Sequence, residues 1–188
     1  MLSESSTSDM VKDFKPSLFF LAKFLAFYFI ANIAYGLYIE SCGNSPDVIT
    51  RQVSAQTAAF LNQFDSAVST EINKNKPKVS IKNGDKIVLH VFEGCNGINV
   101  MIVFVAFLIS FGGPRTRLIW FLVSGLIIVH LANIVRLSLL YYVAQHYQRY
   151  FYFIHKYIFT AMLYLIVFAL WVIWVVKFNV RPNKEAHT

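Results

Sequence analysis

The chain has 188 residues, of which 56% are hydrophobic and 16% aromatic, and a formal net charge of +7. Its mean hydropathy is +0.52. Soluble domains run about 45–50% apolar, so this composition excludes an ordinary water-soluble globule and calls for lipid as the solvent of much of the surface. The basic residues stand at the borders of apolar runs rather than massed on one face, which excludes a nucleic-acid partner and casts them as determinants of membrane topology.

Residues 1–17 are polar and read as a cytoplasmic tail. The apolar run after them is too long for the core of a cleavable signal peptide, so it is expected to be retained as a first transmembrane helix, 18–39. At 1.5 Å per residue it reaches roughly 33 Å, enough to cross the hydrocarbon. Residues 40–94 balance their own charges and read as an extracytoplasmic loop. Within it, Val53, Phe60, Phe64, Val68 and Ile72 recur near one helical face, predicting an amphipathic helix over about 48–72. That helix either lies on the membrane or packs on the rest of the loop. Two alternating runs around Asn83-Gly84 then predict a β-hairpin over about 78–92.

A second apolar run, 95–111, is stopped by Gly112-Gly113-Pro114; the third and fourth are 118–140 and 157–178. Residues 179–188 read as a second cytoplasmic tail. The predicted fold is therefore an all-α integral membrane protein: a bundle of four transmembrane helices whose extracytoplasmic loop holds an amphipathic helix and a hairpin. Residues 95–178 form its candidate catalytic core. Lys12, Lys15 and Lys23, Arg115 and Arg117, and Lys177, Arg181 and Lys184 flank these runs on one side. The positive-inside rule makes that side cytoplasmic and brings both termini to it.

Three reactive side chains fall at one depth. Cys95 opens the second run. Arg136 lies 18 residues into the third run, a rise of roughly 27 Å from the inner border. His155 directly precedes the fourth. A thiol becomes a strong nucleophile only as the thiolate, which a helix N-terminus and a nearby cation favour. His155 can take the thiol proton and return it to a leaving amine. Arg136 keeps its charge and can donate to an oxyanion. Asn133, one turn earlier on the same face, can orient the guanidinium or a substrate carbonyl. Glu93, Asn96 and Gly97 complete the polar island around Cys95, and Gly94 and Gly97 allow close approach of a substrate backbone. His90, His130 and His146 are rival bases; His130 falls mid-span, where packing inside the bundle is the simpler role. Each residue also has a plain reading: Cys95 as a small buried hydrophobe or a disulfide partner of Cys42, Arg136 as an interface anchor, His155 as an interfacial aromatic.

In order, spacing and membrane placement, Cys95-Asn96-Gly97-Ile98, Asn133-Ile134-Val135-Arg136 and His155 resemble the exosortase/archaeosortase family of membrane cysteine transpeptidases. The similarity spans about residues 90–178, and the short length and the Glu93–Ile98 segment look most like the exosortase F type of Bacteroidota. Larger family members have about eight spans, so four would make a catalytic core alone. Lys156 and Phe159 stand where many members carry an acidic residue and a glycine. The resemblance implies a multi-pass protein of the bacterial inner membrane with its site facing the periplasm. It implies catalytic roles for Cys95, Arg136 and His155, and no metal or cofactor. The implied substrates are exported proteins carrying a C-terminal motif, a membrane helix and a basic cluster. The rival readings are a non-catalytic scaffold or transporter subunit and a thiol oxidoreductase, the latter disfavoured because the chain has no CxxC pair.

Overall fold

The structure, a computed structural model, describes residues 4–64, 67–72 and 76–178, with side chains over 14–64, 67–72 and 76–177. The tail expected at 179–188 lies outside the described residues. Residues 4–17, read above as a tail, are helical and continuous with the first span in α1 (Glu4–Ser41), which carries Pro16 inside it. Then come α2 (Val48–Leu61), three strands β1 (Val68–Ile72), β2 (Lys78–Asn83) and β3 (Lys86–Phe92), a 3-10 turn (Glu93–Cys95) and α3 (Ile98–Phe111). The chain ends in α4 (Arg115–His146), a second 3-10 turn (Gln148–Tyr150), the single turn α5 (Phe151–Phe153), a π-turn (Ile154–Ile158), α6 (Phe159–Ile173) and a final π-turn (Trp174–Phe178).

Among the described residues, three helical stretches are long and apolar enough to cross a membrane: Phe14–Ser41, Arg115–His146 and Gln148–Lys177. The run from residue 95, expected as the second of four spans, forms a helix only from Ile98 and has 14 residues. That is ~21 Å of helix, short of the ~30 Å hydrocarbon thickness. Gly97 accounts for the late start: its φ of +88° lies in the left-handed region, so the helix cannot extend back through it to Cys95.

The loop also differs from expectation. The helix read over 48–72 stops at Leu61, and Val68–Ile72 is a strand. Asn62 supplies a physical reason. Its side chain both donates to Val68 O (2.8 Å) and accepts from Val68 N (3.1 Å), so it presents a backbone-like partner that starts an extended segment. The β-branched Val68, Thr70 and Ile72 favour that extension. At the other end Asp47 caps α2 by accepting from Ile49 N and Thr50 N through Oδ1.

The strands form one antiparallel sheet in the order β1-β2-β3, with β2 and β3 joined through Gly84 at φ +56°. Val88 is a bulge: Ile81 pairs with Leu89 and Lys82 with Ile87, which leaves Val88 unmatched. The sheet buries Val68, Ile81, Leu89 and Val91 against Val53 and Ala58 of α2 and against Leu137, Leu140 and Tyr141 of α4. A second core lies among α3, α4 and α6, built on Phe104, Leu108, Val129, Leu163, Val167 and Trp174. α1 is largely exposed and packs along α3, with the Phe20 ring edge-on to Phe107 and Phe111. Large apolar side chains such as Trp120, Leu165 and Ile30 face outward, as a lipid solvent requires.

Candidate active site

The sheet-side core reaches the bundle at Cys95, which is 3% exposed. Here three elements converge: the 3-10 turn that follows β3, the C-terminal half of α4, and the π-turn ahead of α6. Cys95 Sγ lies 3.7 Å from His155 Nε2. His155 is half-buried and stacks parallel to Phe151, with ring centroids 5.9 Å apart. The π-turn turns His155 onto this spot, and Thr160 Oγ1 donates to His155 O across it at 3.3 Å. Such local widening of a helix recurs at functional sites.

Asn133 joins the second and third groups. Its Nδ2 donates to Cys95 O at 3.1 Å, and its Oδ1 accepts from Arg136 Nη1 at 3.3 Å. Both residues are buried, Asn133 fully and Arg136 at 6% exposure. Arg136 Nε is buried too and has no acceptor among the described residues. An unmet buried donor is costly, so it is a group of interest where an oxygen is to be bound.

The thiol does not gain the activation expected of it. Burial pushes the Cys95 pKa above its ordinary value, and the negative charge of Glu93 adds to that. The Arg136 cation and a backbone hydrogen bond from Phe92 pull the other way and are outweighed. Cys95 also sits in the turn before α3 rather than in its first turn, so the helix N-terminus does not compensate for burial. Burial therefore favours the neutral thiol beside His155. Both Cys42 and Cys95 are free, so the disulfide alternative is not adopted.

Other residues singled out from the sequence have structural partners. Both Nδ2 donors of Asn96 are in use, to Tyr35 OH (2.7 Å) and Thr50 Oγ1 (3.1 Å), while its Oδ1 accepts from Ile98 N. Asn96 thus ties α1 and α2 to the Cys95 turn. Neither Tyr35 nor Thr50 was singled out from the sequence; Asp47 as a helix cap was the available signal, since it fixes Thr50 in the first turn. Gly97 faces Asn133, and a Cβ there would come within 3.1 Å of that amide. The glycine therefore makes room for a side chain of the protein itself.

The rival histidines are engaged elsewhere. His90 meets Ser80 Oγ at 3.1 Å, His146 meets Tyr142 O at 3.1 Å, and His130 meets Gln56 Oε1 at 2.8 Å. His130, expected inside the bundle, is half-exposed and faces α2 instead. Lys156 turns outward to Tyr152 OH at 3.0 Å. Among the described residues no group of three or more His, Cys, Asp or Glu side chains is arranged to hold a metal ion.

No curated protein and no solved structure matches the chain. A family model does, described as Transmembrane exosortase (Exosortase_EpsH), over residues 15–175. That match takes in Cys95, Asn133, Arg136 and His155 and far more than half of the sequence, and the chain belongs to the transmembrane exosortase family.

Proposed function

We propose that the chain is a membrane-embedded cysteine transpeptidase that cleaves the C-terminal sorting tail of exported proteins and passes them to an acceptor at the cell surface. The observation that carries this reading is the 3.7 Å approach of Cys95 Sγ to His155 Nε2, with Arg136 linked to the same turn through Asn133. Family membership supports the reaction class.

His155 Nε2 takes the Cys95 proton as the thiolate attacks the carbonyl carbon of the scissile peptide bond. The tetrahedral oxyanion accepts from the Arg136 guanidinium, whose Nε is a ready donor. The C–N bond breaks, His155 returns the proton to the leaving amine, and the tail departs with its membrane helix and basic cluster. The substrate acyl group stays on Sγ as a thioester. A second nucleophile, an amine, a hydroxyl or water, gives its proton to His155 and takes the acyl group, which regenerates the thiol.

In this reading α3 completes a four-span bundle, its short helix matched by local thinning of the bilayer. Both termini are cytoplasmic, residues 40–94 are periplasmic, and the protein is an inner-membrane enzyme of the exosortase F type.

The test is processing of a tail-bearing host protein in cells that carry single variants. Cys95→Ala should abolish it. Arg136→Ala should slow it on the order of a hundredfold or more. Arg136→Lys should restore little, because an ammonium does not reproduce the planar fork. Normal processing with Cys95→Ala would remove the enzymatic reading in favour of a scaffold.

A further inference from the structure

β3 is an end strand of the sheet, and among the described residues no segment hydrogen-bonds to its outer edge. Exposed edges are usually protected by proline, by charged side chains or by a covering element. Val88–Phe92, with the sequence VLHVF, carries neither proline nor charge. Beside it runs a groove of about 270 Å³, with Val88, His90 and Phe92 on the strand side and Leu140, Phe151 and His155 on the helical side. A second cavity of about 260 Å³ shares Val88 and Phe151 and continues toward Ala144 and Gln148.

Building on the transpeptidase reading above, we infer that this groove is the subsite for the substrate's recognition segment. The segment binds as an added strand on the free edge of β3. Three observations select an extended peptide as occupant. The groove is continuous with the reacting pair, because His155 is one of its walls and also lies 3.7 Å from Cys95 Sγ. The strand itself runs into the Cys95 turn: it ends at Phe92, and the turn Glu93–Cys95 follows at once. A peptide paired with β3 is therefore led toward the nucleophile. The bulge at Val88 shifts the pairing register between Leu89 and Ile87, and bulges recur beside active sites, where they re-aim a strand. Main-chain hydrogen bonds supply sequence-independent affinity in such strand addition, and pockets for alternate side chains supply selectivity. No Asp, Glu, Lys or Arg lines either cavity, so the segment accepted is uncharged where it passes Val88 and Phe151.

Two measurements on the full-length protein in host membranes test the inference. Val88→Trp fills the groove where the two cavities share a wall, without replacing a reacting group. It should slow processing of a tail-bearing host protein on the order of tenfold or more, while leaving iodoacetamide alkylation of Cys95 within about twofold. Unchanged processing in Val88→Trp, with Cys95→Ala inactive, overturns the subsite and leaves the transpeptidase standing. The second measurement needs no turnover and no rigid packing at the site. Benzoylphenylalanine replacing the exposed His90 should crosslink to residues just ahead of the membrane helix of the tail-bearing protein. Crosslinks confined to lipid or to a second copy of the chain overturn the inference. Should Cys95→Ala process normally, the catalytic reading falls, and the crosslink alone then decides the groove.

Discussion

Cys95 is held between opposing influences: burial and Glu93 favour its neutral thiol, and Arg136 and the Phe92 backbone favour its thiolate. The sum favours the proton on sulfur, which gives His155 the task of taking it as the sulfur attacks. A raised pKa means that the ionised fraction at any pH below it is smaller than that of a free thiol. Alkylation of Cys95 by iodoacetamide should therefore rise with pH and reach half its maximum above the ordinary thiol value of about 8.5. Arg136→Gln should move that midpoint higher, because it removes the strongest influence that lowers it. A midpoint below the ordinary value would mean that burial does not dominate. The types and order of Cys95, Arg136 and His155 were legible in the sequence because membrane depth can be counted along helices at a fixed rise. Their electrostatic balance was not. Burial of the thiol comes from the sheet packed over it, and that packing is invisible to a count of helical turns.

The elements that present these residues depend on a few close approaches. Gly125 is where α4 meets α3: a Cβ there would collide with the Phe104 ring, which is itself fully buried. Gly125→Ala should therefore destabilise the protein by about 1–3 kcal/mol, the usual cost of forcing volume into a packed core. Thermal unfolding in detergent checks this, and an unchanged transition would show that the helices slide apart freely. The apolar helices α1, α4 and α6 were readable as long uninterrupted runs. The strand at Val68–Ile72 was not, because its apolar residues also fit a helical period and the deciding contact is made by Asn62. The π-turn at His155 was equally hidden, since it depends on how the segment packs and leaves no periodic mark.

At the scale of the whole molecule, a sheet and α2 sit on one end of a helical bundle, and the reacting groups lie at the seam between them. If that seam faces the periplasm, a reporter inserted at the exposed Gly84 turn and one fused to the C-terminus should report opposite compartments. The same compartment for both would exclude the four-span topology. The central claim is that Cys95 is the nucleophile of a transpeptidase and that His155 serves it. Its most direct measurement is isolation of the covalent intermediate from cells that express the full-length protein with a tail-bearing substrate. The account predicts a hydroxylamine-sensitive thioester that joins the substrate to Cys95. It should be absent in Cys95→Ala and greatly diminished in His155→Ala. Normal tail cleavage in Cys95→Ala cells, with no such adduct in the wild type, would contradict it.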